Sequence, residues 1–213
     1  FINGGKKVKP ILISRIQDRR GNTIFNSEER NCKNCDKVNL QDNIIPEILN
    51  DGEQVLSQET AYQITSMLEG VITRGTGKKL KKLNLPIAGK TGTTNDNFDA
   101  WFIGSTSNLT IGVYVGYDNP KSLGKYETGA KAALPIFQKF VETAIFREDI
   151  KNFKAPETIN FFPINYDTGK MTGFDNSKSI IEAFKEENFS DITLKNLNLR
   201  KKRDKFDIFT RFY

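Results

Sequence analysis

Apolar and polar positions alternate along the chain with periods that divide it into elements. Val8, Ile11, Ile13 and Ile16, with Pro10 near the start where a missing N–H is tolerated, predict a strand over Val8–Ile16. Asp18-Arg19-Arg20-Gly21-Asn22 then reads as a turn and Thr23-Ile24-Phe25 as the returning strand of a hairpin. Residues 26–56 are polar and Asn/Asp-rich, broken by Ile44-Ile45-Pro46, and predict a long loop. Ser57 offers an N-cap, after which Ala61, Ile64, Met67, Leu68, Val71 and Ile72 recur at helical spacing. The whole stripe, Met67 and Leu68 included, is expected to face the core. Gly75-Thr76-Gly77 ends the helix.

Three strands follow, Ile87–Thr93, Ala100–Ser105 and Thr110–Tyr117, the last two joined by a tight Thr106-Ser107-Asn108 turn. Short connections make them an antiparallel meander, with Trp101 and Phe102 expected to pack between sheet and helix. Pro120–Gly129 is a loop. Ala132–Phe146 is a second amphipathic helix with Pro135 in its first turn, where it costs no hydrogen bond. Phe153-Lys154-Ala155-Pro156 opens an irregular tail, and past about residue 190 the charge run predicts disorder. The fold class is α+β, an antiparallel sheet packed with helices, with residues 1–150 as the main body and 151–213 as a C-terminal extension ending in a basic, mobile tail.

At 213 residues, with 37% apolar and 27% charged positions, the chain has material for one core. No run of about 18 apolar residues could span a bilayer. The chain opens abruptly on Phe1-Ile2-Asn3-Gly4-Gly5 and reads as part of a longer protein. The net charge of +6 is unevenly spread: Arg74, Lys78, Lys79, Lys81 and Lys82 crowd the approach to the first meander strand, and residues 195–213 carry seven Lys or Arg against two Asp. Each cluster reads either as a solvated face or as an attractor for an anionic partner. Nucleic acid fits poorly, because aromatics do not interleave with the cations as a stacking platform requires.

Cys32 and Cys35 form a Cys-x-x-Cys, but with no histidine and no second cysteine pair the four ligands of a structural zinc site are lacking. In an oxidising compartment a local disulfide is the most economical reading. Two free thiols and a metal pair remain open.

The stretch most suited to chemistry is Ala88-Gly89-Lys90-Thr91-Gly92-Thr93-Thr94, where a cation, hydroxyls and an approachable glycine-flanked backbone meet on one short strand. It is equipment for gripping a carboxylate. The stretch resembles the third active-site motif of the penicillin-binding proteins and serine β-lactamases. Continued through Asp99-Ala100-Trp101-Phe102 to Gly116-Tyr117-Asp118, it is similar to the class A, bifunctional penicillin-binding proteins in particular, and nearly all of residues 1–190 reads against that family.

The resemblance implies a DD-transpeptidase that cross-links peptidoglycan: a serine attacks the D-Ala-D-Ala carbonyl of a stem peptide, D-Ala leaves, and an amine of a second stem peptide resolves the acyl-enzyme. It further implies that Lys90 supplies positive potential and helps order protons, and that the Thr93 N–H is an oxyanion-hole donor. Thr91 and Thr93, two apart and so on one face, would bind the terminal carboxylate of D-Ala-D-Ala or of a β-lactam. Gly92 and Thr94 would line the same substrate site. Alternation puts Lys90 on the opposite face; whether twist or its long stem returns the ammonium to the cleft is left open.

The family's other two motifs are not in place. No Ser-x-Asn occurs, and the one Ser-x-x-Lys, Ser122-Leu123-Gly124-Lys125, follows the third motif and lies in a loop. Motif order puts the nucleophile upstream of Phe1, so this chain alone is expected to be inert. No cofactor is expected for it. The resemblance implies a parent anchored in the inner membrane and working on the periplasmic side, with an upstream glycosyltransferase that would use a divalent metal and lipid II, and with cell-wall synthesis proteins as partners. A β-lactamase or DD-carboxypeptidase piece, and a non-catalytic cell-wall binding module, are the rival readings.

Overall fold

A computed structural model describes residues 1–8, 10–27, 52–145 and 149–185 together with the backbone of 32–33 and 47–48. The described chain divides into two units, Gly5–Leu56 on one hand and Phe1–Gly4 with Ser57 onward on the other.

In the smaller unit, β1 (Arg15–Gln17) pairs antiparallel with β2 (Thr23–Asn26). Asp18 organises the turn between them: its Oδ1 accepts from the N–H of Arg20 at 2.8 Å and of Asn22 at 2.9 Å, and its Oδ2 from the Asn22 amide at 2.9 Å. Bonds donated to the ionised carboxylate, that of the Asn22 side chain first, hold it below the usual carboxylate range. The strand is shorter than the apolar run predicts. Val8, Ile11, Leu12 and Ile13 are exposed, because β2 reaches back only to Arg15 and β-branched composition makes no strand without a partner. Inside the expected long loop, β3 (Cys32–Lys33) pairs antiparallel with β4 (Glu47–Ile48), a two-residue ladder too short to leave a periodic signal. Cys35, and with it the pairing of Cys32, lies outside the described residues.

The larger unit begins with α1 (Gln58–Thr73), capped by Ser57, whose Oγ accepts from the Thr60 N–H at 3.2 Å. Its inward stripe runs through Ala61, Thr65, Leu68 and Ile72 with Tyr62 beside it. Met67 falls one residue off that stripe and is 57% exposed, contrary to the core position expected of it. A short 3₁₀ helix, Lys78–Leu83, follows, burying Leu80 and Leu83 and leaving its four lysines in solvent.

Strands β5 (Ala88–Thr93), β6 (Ala100–Ser105) and β7 (Thr110–Val115) form the antiparallel meander in the order β5-β6-β7. Its turn is closed by Thr106, which donates its N–H to the Leu109 carbonyl at 2.9 Å. Helix α2 (Ala133–Ala144) lies on β6 and β7, and Phe137 packs edge-on against Phe102 with ring centroids 4.7 Å apart. Phe102 and Trp101, being neighbours on a strand, point to opposite faces. Only Phe102 enters the core; Trp101 is 41% exposed and leans on Tyr114, with centroids 4.8 Å apart, so the expectation that both pack beneath a helix fails for Trp101.

Instead of an irregular tail, β8 (Ile159–Asn165) and β9 (Ser179–Lys185) form a seven-residue antiparallel hairpin against α1. Phe161 meets Tyr62 edge-on at 6.0 Å, and the Gln63 amide donates to the Ala183 carbonyl at 3.0 Å. Ala88, Tyr62, Phe153, Ile159 and Ala183 make one buried cluster; Ile72, Leu80, Leu83, Ile87, Phe102, Leu134, Phe137 and Val141 dominate the other. The charge run past residue 190 and Phe146, placed at the end of the second helix, lie outside the described residues. No helix among the described residues is long and apolar enough to cross a membrane.

Candidate active site on the edge of strand β5

Strand β5 carries Lys90, Thr91, Gly92 and Thr93 in its outer half, paired with Ile103, Phe102, Trp101 and Ala100. It is a terminal strand of the meander, so one edge of its backbone faces away from β6. The Thr94 N–H bonds the Asp99 carbonyl at 3.1 Å. N–H groups alternate along a strand, so that of Thr93 points to the outer edge. This is the geometry an oxyanion donor needs.

Lys90 starts on the opposite face from the threonines, but its stem brings the ammonium round the strand edge. Nζ donates to the Thr91 carbonyl at 2.7 Å and lies 3.5 Å from Thr91 Oγ1. The question left open by strand alternation is thus answered by side-chain length. Lys90 makes no ion pair among the described residues, so its charge is available to an anion.

The two threonines are held by distant parts of the chain. Thr91 Oγ1 lies 2.9 Å from Thr76 Oγ1, in the turn that ends α1. Thr93 Oγ1 accepts the Gly129 N–H at 3.0 Å from the loop before α2. Glycine is required at 129 by close approach: a Cβ there would lie 2.3 Å from the Trp101 carbonyl oxygen and 2.4 Å from that of Gly92. Neither Thr76 nor Gly129 was marked by the sequence as a site residue. Thr76 stood in a run that reads simply as a helix stop, and no local pattern signals Gly129.

Thr94 is placed differently from Thr91 and Thr93. Its Oγ1 accepts the Asp99 N–H at 2.8 Å and closes the β5–β6 loop. That loop continues through Asp96 and Asn97, both with φ near +55°, and is tied to 122–124 by the Leu123 N–H to the Asn97 carbonyl at 2.9 Å. In the same place Ser122 Oγ donates to the Asp96 carbonyl at 2.7 Å, and the Lys125 ammonium lies 5.2 Å above the Tyr126 ring. Ser122 and Lys125 therefore serve separate contacts and form no nucleophile and base pair.

Arg74 leaves the basic cluster to pair with Glu182 of β9 at 2.5 Å, while Lys78, Lys79, Lys81 and Lys82 stay exposed. Burial holds the Glu182 carboxyl above the usual carboxylate range, and the Arg74 charge offsets only part of that rise. A cleft of about 860 Å³ opens between the N-terminal end of α1, the β6–β7 turn and residues 149–158. It sits at the opposite end of β5 from Thr93 and includes none of Lys90 to Thr94. Among the described residues no cluster of His, Cys, Asp or Glu could hold a metal ion.

An outward N–H, an ammonium with no ion pair among the described residues and two supported hydroxyls thus lie together on one strand edge. Residues 1–142 match the penicillin-binding protein transpeptidase domain, and the chain belongs to that family. It is 43% identical over 209 residues to penicillin-binding protein 1A of Rickettsia felis, covering 97% of this chain and 26% of that protein. Against penicillin-binding protein 1A of Pseudomonas aeruginosa the identity is 33%, covering 88% of this chain and again 26% of the relative. The chain thus spans about a quarter of the length of these relatives. The crystal structure of penicillin-binding protein 1A from Haemophilus influenzae superimposes with a TM-score of 0.68 at 29% identity, over 86% of this chain and 30% of that one. The fold is therefore the α+β fold of penicillin-binding transpeptidases.

Proposed function

We propose that this chain is the C-terminal part of the transpeptidase domain of a class A penicillin-binding protein, a DD-transpeptidase that cross-links peptidoglycan stem peptides. The observation that carries this is the convergence of Lys90 Nζ, Thr91 Oγ1, Thr93 Oγ1 and the outward Thr93 N–H on the outer edge of β5. In this reading the nucleophilic serine belongs to the part of the relatives' length that this chain does not span. Its Oγ attacks the D-Ala-D-Ala carbonyl, and the oxyanion forms against its own N–H and that of Thr93. Each such donor is worth about 3–4 kcal/mol at the transition state. The C–N bond to the terminal D-Ala breaks, and a stem-peptide amine then displaces the serine.

Thr91 and Thr93 donate to the terminal carboxylate of the stem peptide or of a β-lactam. Lys90 adds the long-range attraction and steadies protons between serine oxygens. Gly92 keeps the strand edge open, and Thr94 fixes the loop at the far side of the carboxylate site. The parent protein acts at the periplasmic face of the inner membrane, carries a glycosyltransferase upstream, and works with other cell-wall synthesis proteins.

Covalent labelling by a fluorescent penicillin, on this chain and on the intact gene product side by side, tests the reading. Only the intact product should label, and Lys90→Ala in it should abolish the signal. Labelling of the 213-residue chain would mean an activated serine within it, and an unlabelled intact product would remove the acyl-transfer reading. Rapid loss of the label from the intact product would favour a β-lactamase instead.

A further inference from the structure

A hydroxyl has one hydrogen to donate and two lone pairs to accept with, so its usefulness to an anion depends on where the hydrogen is sent. Among the described residues Thr91 Oγ1 has two hydrogen-bonding neighbours. The Lys90 ammonium at 3.5 Å can only donate to it, whereas Thr76 Oγ1 at 2.9 Å can take either part. If Thr91 donates to Thr76, nothing remains for a carboxylate. With Thr76 as donor, both lone pairs of Thr91 are occupied and its own hydrogen is sent outward.

An arriving carboxylate selects the second arrangement, because charge-assisted bonds are the stronger ones and successive hydrogen bonds polarise each other. We infer that Thr76 is a positioning residue for the carboxylate site: its hydroxyl donates to Thr91 Oγ1 and thereby aims the Thr91 O–H at the carboxylate of the stem peptide or β-lactam. This rests on the acyl-transfer reading above.

The turn that carries Thr76 is built to hold it still. The N–H of Arg74 bonds the Gly70 carbonyl at 3.0 Å, and those of Gly75 and Gly77 bond the Val71 carbonyl at 3.1 and 3.0 Å. Gly75 packs so closely that a Cβ would lie 2.8 Å from Val71 Cα, and one on Gly77 would lie 2.7 Å from Ile72 Cδ1. Thr76 itself is exposed, so burial does not explain its side chain.

The test compares the intact gene product as wild type, Thr76→Val and Thr76→Ser, by the second-order rate of acylation with a penicillin bearing its free carboxylate and with the neutral methyl ester of the same penicillin. Thr76→Val keeps the shape and removes the hydroxyl. It should slow the acid by about tenfold, as loss of a hydrogen bond serving a charged ligand does, and leave the ester rate unchanged. Thr76→Ser should restore the acid to within about twofold of wild type. An unchanged acid rate in Thr76→Val, or equal losses for acid and ester, would overturn the inference. Should Thr76→Val fail to fold, Thr76→Ala is read in the same way. A wild type that reacts with neither compound would overturn the acyl-transfer reading itself, an outcome distinct from the others.

Discussion

Lys90 illustrates what one side chain can do against the alternation of its strand. Its Cβ faces away from Thr91 and Thr93, yet four methylenes reach around an edge that no other strand among the described residues covers, and the charge arrives beside Thr91. A shorter cation could not do this. Glu69 presents the opposite case, a carboxyl on α1 that burial pushes up from 4.5 to about 7. The folded protein therefore keeps a proton that the unfolded chain releases. Its stability is fully present below pH 4.5 and falls as the pH rises through about 7. Glu69→Gln should abolish that loss, raising stability at pH 8 by on the order of 2–3 kcal/mol and changing little at pH 4. Urea unfolding at both pH values checks it, and an equal effect at both would refute the assignment. The chemistry-bearing tripeptide was legible at this scale because Lys, Thr and Gly declare their capacities by type. Thr76 was not, since its role is a 2.9 Å contact across 15 residues of sequence.

Among the elements, β5 depends on the loops at its two flanks. Gly129 supplies the N–H on Thr93 and has no room for a methyl group. Gly129→Ala should displace that loop and slow acylation of the intact product by on the order of tenfold to a hundredfold, the cost of a misplacement near 1 Å. Gly112→Ala on β7, where a Cβ meets nothing within 4 Å, should leave the rate unchanged. Stopped-flow labelling with a fluorescent penicillin distinguishes the two, and equal rates for both variants would deny the loop its part. Helices α1 and α2 and the meander were readable from period and caps: Ser57 and Pro135 sit where propensity places them. The hairpin of β8 and β9 was not. Its segments Ile159-Asn160-Phe161-Phe162-Pro163 and Ile180-Ile181-Glu182-Ala183-Phe184 carry apolar runs without strict alternation, and a proline stands inside the first. Pairing with each other and packing on Tyr62 and Gln63 supply what local pattern lacks.

At the scale of the whole chain, one face of the meander is unfinished. Trp101, Ile103 and Tyr114 share it and are each about half exposed, and β5 and β7 have outer edges that pair with no strand among the described residues. Exposed aromatic area beside open strand edges favours association. The isolated 213-residue chain should therefore self-associate as concentration rises, seen as increasing mass by light scattering; a monodisperse, cooperatively melting monomer would contradict this. The sequence by itself determined the order of elements, the capped helices, the turn at Asp18 and the residue types of the site, because each of these depends on neighbours within a few positions. Tertiary structure alone decided that Trp101 turns outward while Phe102 turns in, that Met67 lies off the stripe, and that the tail folds back on α1. It also brought Thr76 and Gly129 to the two threonines. Those outcomes depend on which distant surface a side chain or backbone group meets, and the spacing of residues along the chain carries no record of that.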